Sequence, residues 1–145
     1  MLQANKTTVI AIAGASASGK SLFAQTIYDE LLPELGEQSI SIVKEDAYYR
    51  AQDHLSMEDR IKTNYDHPKA FEHSLMRQQI RELVQGKQVA CPVYCYKTHT
   101  RTDKTVILEP TKIILVEGIL LLSHPELRES FDIKVYMDTP LDICL

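Results

Sequence analysis

One eight-residue stretch, GASASGKS at positions 14–21, constrains this chain more than any other. It satisfies G-x-x-x-x-G-K-[ST] at every fixed position. Before it lies TTVIAIA (7–13), which is short, β-branched and apolar. After it, SLFAQTIYDELLPEL sets Leu22, Phe23, Ile27, Leu31 and Leu32 at helical spacing. Strand, glycine loop and helix in that order are the context that separates a phosphate-binding loop from a chance turn. Gly14 and Gly19 permit the tight path that turns the backbone of Ala15, Ser16, Ala17 and Ser18 toward phosphate oxygens. The helix opening near Lys20 adds its positive end. In this arrangement Lys20 reaches the β and γ phosphates, and the Ser21 hydroxyl is a magnesium ligand.

The remaining elements fit around that unit. SISIV (39–43) reads as a second strand, followed by the polar and aromatic KEDAYYR. Ser56 and Asp59 resemble a capping box in carboxylate form, opening a short helix through about Lys62. From about Ala70 to Gln85, the residues Phe71, Leu75, Met76, Ile80, Leu83 and Val84 make one apolar face, with Gly86 as its cap. QVACPVYCYK and KTVILEP flank THTRTD and predict a β-hairpin insertion at about 88–109. KIILVE (112–117) reads as a buried strand, PELRES as a short helix and IKVYMD (133–138) as a fourth core strand. Alternation of this kind predicts an α/β fold, a parallel sheet with helices on both faces. At 145 residues, with no repeat or linker, the chain reads as one domain.

Composition narrows the partners. Sixteen basic against 20 acidic residues give a net charge of −4, so nothing draws the chain to nucleic acid or to an anionic membrane. Any phosphate must be held locally. The apolar run IILVEGILLL (113–122) is about half the roughly 20 residues of a membrane span, and Glu117 interrupts it. MLQANKTTVIAIAG lacks the layout of a signal peptide. Of three cysteines, Cys91 and Cys95 are spaced too widely for a CxxC pair, and the set reads as reduced thiols in a cytoplasmic protein.

Two carboxylates complete a nucleotide site. Glu117 closes four apolar residues of a buried strand, a costly place for a charge unless it is paired or near a metal. Magnesium is the favoured reading, a solvated strand end or helix cap the plainer one. Asp46 follows the second strand, whose carboxyl end faces the same crevice as the phosphate loop in a parallel sheet. It is placed to take a proton from an attacking hydroxyl or to hold metal-bound water. Tyr94, Tyr96 and His99 taken alone read as strand packing and an exposed loop residue.

Taken together, GASASGKS, EDAYYR, NYDHPKAF, PVYCYKTHTR and VEGIL, in this order and spacing, resemble the bacterial uridine kinase (uridine–cytidine kinase) family of P-loop kinases. The resemblance runs from about Thr8 to the last residue. It implies transfer of the γ-phosphoryl of ATP or GTP, with Mg2+, to the 5′-hydroxyl of uridine or cytidine. It also implies a homo-oligomer, commonly a tetramer. By the same resemblance Asp46 is the general base, with Tyr49 three residues on in its motif. Asp66 holds the ribose hydroxyls, Tyr65 lies near the base, Tyr94 and His99 hydrogen-bond the pyrimidine edge, and Tyr96 packs on the ring. The chemistry agrees: one carboxylate can accept both hydroxyls of a ribose diol, and Pro68 biases His67 toward an extended backbone.

The chain departs from the family in two places. Cys95 stands where the family commonly has Asp. The sequence ends at DTPLDICL, where the family continues into an arginine-rich lid, a last strand and a helix, so the resemblance implies a kinase domain incomplete at its C-terminus, with an uncovered sheet edge. Lid arginines stabilise charge on the transferred phosphoryl group, so a catalytically weak nucleotide-binding module is one competing reading. A kinase for pantothenate or ribulose 5-phosphate is another, and NYDHP with the tyrosine-bearing hairpin argues against it.

Overall fold

The first strand, β1 (Thr8–Gly14), runs up the middle of a four-stranded parallel sheet. This computed structural model describes residues 7–15, 19–36 and 38–137. From β1 the chain enters α1 (Lys20–Leu35), then β2 (Ile40–Lys44), a 3₁₀ turn at Glu45–Tyr48, α2 (Met57–Ile61), a 3₁₀ turn at Pro68–Ala70 and α3 (His73–Val84). An antiparallel hairpin of β3 (Val89–Cys95) and β4 (Thr100–Leu108) follows, and then β5 (Ile113–Gly118), α4 (Pro125–Arg128) and β6 (Ile133–Met137). The sheet order is β2-β5-β1-β6.

Register decides where the chemistry can sit. Glu117 of β5 lies opposite Ile12 of β1 on one side and Lys44 of β2 on the other, and Gly118 lies opposite Ala13. Three strands therefore end together, and the loops that leave them emerge along one rim. In parallel sheets that rim is where ligands bind.

Alternation along the strands divides the core. Val9, Ala11, Ala13, Val43, Ile114 and Val116 pack in one cluster with Met76, Ile80 and Leu83 of α3, Leu127 of α4 and Val89 and Cys91 of the hairpin. The opposite face buries Ile12, Ile40 and Leu115, and α1 contacts β1, β2 and β5. Truncating a fully buried member such as Ile80 to alanine would cost about 2–5 kcal/mol. Polar groups inside are matched: the buried Tyr48 hydroxyl donates to Gln79 Oε1 at 2.6 Å, and Gln79 Nε2 donates to the Ala90 carbonyl at 2.9 Å. This links the turn after β2, α3 and the hairpin.

Local signals are realised as sequence chemistry dictates. Ser56 accepts from the Asp59 amide at the start of α2. Gly86, at φ 88°, ends α3, with the Gly86 amide on the Leu83 carbonyl and the Lys87 amide on that of Glu82. His67 is extended ahead of Pro68 (φ −99°, ψ 140°).

Three expectations are modified. Helix α3 begins at His73, because Phe71 is held outside it in a bridge to Tyr49. On α1 the stripe against the sheet is Lys20, Ala24 and the half-buried Ile27, Tyr28, Leu31 and Leu32, while Leu22 is 73% exposed. The helix must start on the phosphate loop and bring small Ala24 against the sheet, which turns Leu22 outward. Strand β6, expected in the core, is the last described strand of its sheet, with Ile133 and Tyr136 exposed.

Candidate functional site

At the phosphate end, Gly14 is buried as the last residue of β1, and Gly19 takes a left-handed conformation (φ 85°) immediately before α1. Only glycine adopts that conformation without strain. Lys20 is buried, with its ammonium 3.3 Å from the Ala15 carbonyl. Among the described residues it joins no ion pair. A buried ammonium with one carbonyl for company is poised for an anion. Ser16, Ala17 and Ser18 lie outside the described residues.

Along the rim, Lys20, Ser21, Glu45, Asp46, Tyr49, Asp66, Phe71, Glu117, Gly118 and Ile119 line one cavity of about 230 Å³. Six of the residues the sequence singled out, Lys20, Ser21, Asp46, Tyr49, Asp66 and Glu117, are thus brought together from four separate segments. Glu117 is buried, and its Oε2 has no hydrogen-bond partner among the described residues. An orphaned carboxylate oxygen facing a serine hydroxyl and a second carboxylate across one cavity is the donor chemistry that magnesium takes. No group of three or more His, Cys, Asp or Glu among the described residues forms a metal cage by itself. That suits an ion whose remaining ligands are water and phosphate.

Asp46 is exposed to the cavity from the 3₁₀ turn that follows β2. Asp66 is presented by a turn built inside NYDHP: the Asn64 side chain accepts from the Asp66 amide, and the Asn64 carbonyl accepts from that of His67. Such a turn fixes where the Asp66 backbone points.

Tyr49 is the hub of the aromatic end of the rim. Its ring stacks on Phe71 with centroids 4.4 Å apart, meets Tyr65 edge-on at 5.2 Å and tilts against Tyr94 at 5.2 Å. Arg101 from the hairpin bonds its backbone carbonyl at 3.0 Å and pairs with Glu72 at 2.8 Å. Burial first, then the Asp46, Asp66 and Glu45 carboxylates, push its hydroxyl up to about 12. Tyr49 is therefore a donor at all working pH, and it donates to the Tyr65 carbonyl. Tyr94 is buried and meets Tyr96 edge-on at 5.3 Å. The Tyr96 ring is exposed, yet burial of its hydroxyl end and the neighbouring Asp46 carboxylate raise its pKa. Tyr65 and His99 face each other with ring centroids 6.0 Å apart.

Sequence reading passed over two residues that organise this rim. Glu45, next to Asp46, is 1% exposed. One of its oxygens accepts from the Ile119 and Leu120 amides, and the other lies 2.6 Å from His73 Nε2. A side chain at Gly118 would meet Glu45 atoms at 2.5 Å, which explains the glycine after Glu117. Gln52, buried in the loop after Tyr49, bonds both the hairpin tip and Tyr65. Only the acidic neighbour of Asp46 hinted at the first, and nothing in the sequence marks the second. Across Phe71 lies another cavity of about 240 Å³, lined by Arg50, Lys69, His73 and His124 among others. It gathers none of the expected site residues.

Comparison with known proteins agrees with this geometry. The pattern of the Phosphoribulokinase / Uridine kinase family matches residues 9–145. A uridine kinase of Shewanella amazonensis is 56% identical over 143 residues, covering 99% of this chain and 68% of that protein. One from Shewanella pealeana is 60% identical over 136 residues, covering 94% and 64%. The chain thus spans about two thirds of the length of these relatives. A solved structure described as a possible uridine kinase from Bacillus stearothermophilus superposes with a TM-score of 0.71 at 25% identity, over 96% of this chain and 74% of that one.

Proposed function

Because this chain belongs to the phosphoribulokinase / uridine kinase family, we propose that it carries the chemistry of a uridine/cytidine kinase. It transfers the γ-phosphoryl of ATP or GTP to the 5′-hydroxyl of a pyrimidine nucleoside to give UMP or CMP. The observation that supports this most is the meeting of Lys20, Ser21, Asp46, Asp66 and Glu117 around one cavity.

In this reading the loop from Gly14 to Ser21 and the start of α1 cradle the nucleotide phosphates, and the Lys20 ammonium lies on the β and γ groups. Ser21 and Glu117, with Asp46, would hold the magnesium ion. Bound there, the ion neutralises charge on the phosphate oxygens. Asp66 accepts hydrogen bonds from the ribose diol and so fixes the sugar with its 5′-hydroxyl toward Asp46, the general base that takes its proton. Tyr49, Tyr65, Tyr94 and Tyr96 supply flat walls with polar tips suited to a planar base. Free Cys91 and Cys95 accord with a reducing, cytoplasmic setting. No helix among the described residues is long and apolar enough to cross a membrane.

Nucleoside-dependent formation of ADP tests the proposal. Uridine and cytidine should each support turnover that requires magnesium, with UMP and CMP as products. Turnover with pantothenate or ribulose 5-phosphate, and none with either nucleoside, would overturn it.

A further inference from the structure

We propose that Gln52 and the Arg60 carbonyl set the hydrogen-bond polarity of the base-reading wall, so that His99 offers a nitrogen lone pair to an N–H on the pyrimidine edge. The inference rests on the kinase reading for its ligand, but not for its geometry. Gln52 is a positioning residue: it acts through Tyr65 and the hairpin tip.

Gln52 is only 7% exposed, and each of its polar atoms has a defined role. Its Nε2 donates to the His99 carbonyl at 2.7 Å and to the Tyr65 hydroxyl at 3.0 Å, while its Oε1 accepts from the Thr63 hydroxyl. A carbonyl can only accept, so the amide has one permitted orientation. The Gln52 backbone amide donates to Thr100 Oγ1 at 2.6 Å, and that hydroxyl donates to Asp53 at 3.0 Å. Arg60 adds a bond from its guanidinium to the Thr98 carbonyl at 2.8 Å. Together these hold the hairpin tip, where His99 has φ 53°, a left-handed conformation that a histidine seldom adopts unaided.

Polarity follows from counting protons. Tyr65 has one hydroxyl proton, and it goes to the Arg60 carbonyl at 2.7 Å, another group that can only accept. Every other contact of that oxygen must therefore donate to it. Gln52 does so at 3.0 Å, and His99 Nδ1 at 3.4 Å is placed to donate to the second lone pair, nearer than the Tyr94 hydroxyl at 3.5 Å. With the proton on Nδ1, the uncharged imidazole has its lone pair on Nε2. Uracil presents N3–H and cytosine its exocyclic NH₂, and an acceptor can serve both. The Tyr94 hydroxyl, 3.5 Å from Gln52 Nε2 and 3.5 Å from the Tyr65 hydroxyl, completes the wall.

The test uses the whole chain with Gln52→Leu and Tyr65→Phe, the second keeping the ring and removing only the hydroxyl. Nitrogen-15 NMR of the imidazoles should show His99 in the Nδ1–H form in the free protein, with loss of that preference in Tyr65→Phe. Each variant should raise the uridine KM about tenfold, as expected for one or two lost hydrogen bonds, and leave the ATP KM unchanged. An Nε2–H His99 in the parent chain would overturn the inference. So would a uridine KM that stays within about twofold of the parent in both variants, since lost hydrogen bonds should show. If the parent phosphorylates no nucleoside, the kinase reading falls, and the tautomer measurement still decides the polarity of the wall.

Discussion

The two ends of the rim are built from different materials. The expected phosphate end is a run of consecutive residues, Gly14 to Ser21, of which Gly14 ends β1 and Lys20 opens α1. The expected acceptor end draws side chains from the turn after β2, the NYDHP turn and the hairpin, three segments separated along the chain. In the proposed reaction the first holds the triphosphate and the second chooses the acceptor, so substitutions there should separate the two substrates kinetically.

Asp46, where the two ends meet, should give the largest effect. Asp46→Asn is expected to lower kcat by about 10²–10⁴-fold, the range for loss of a general base, with uridine binding retained by calorimetry. Unchanged turnover would break the division at its centre. Asp66→Asn should raise the uridine KM by about 10–100-fold, from hydrogen bonds to a charged group worth about 1.5–3 kcal/mol, with the ATP KM unmoved. The same substitution should matter much less for 2′-deoxyuridine, which offers one hydroxyl fewer, and equal losses for both nucleosides would take Asp66 off the diol.

Gly118→Ala probes the junction between the ends. Its Cβ would meet Glu45 at 2.5 Å, so Glu45 must shift. A destabilisation of about 1–3 kcal/mol is expected, read as a Tm lower by several degrees, and an unchanged Tm would mean that Glu45 is not pinned. Tyr96→Phe should be mildest, with kcat/KM for uridine within about threefold of the parent, the low end for one partly exposed hydrogen bond. A larger loss would give the Tyr96 hydroxyl a part in holding Asp46.

What the sequence made legible divides along the same line. The order of strands and helices and the hairpin are local in sequence and follow the order that periodicity and turn chemistry predict. As candidates, Asp46 and Glu117 were legible because a charge at a strand end is conspicuous, and Asp66 through the family resemblance that NYDHP carries. Glu45 and Gln52 were not, since their partners lie far along the chain: His73 is 28 residues from Glu45, and His99 is 47 from Gln52. Only the fold gives such pairs meaning. The outward turn of Leu22 is a similar case, because spacing marks an apolar residue without saying which part of a broad apolar arc meets the sheet.

Strand order has a further consequence, for synthesis. Neither β1 nor β2 has a strand neighbour among the described residues of the first hundred: β1 pairs with β5 and β6, and β2 with β5. At about 5–20 residues per second on the ribosome, β1 waits roughly 5–20 s for β5 to emerge. During that interval two apolar strands have no sheet to join, while the hairpin and α3 can already form from nearby contacts. The nascent chain therefore passes through a sticky stage that ends only with the strand carrying Glu117, and the same strand joins β1 to β2 and brings their ends to one rim.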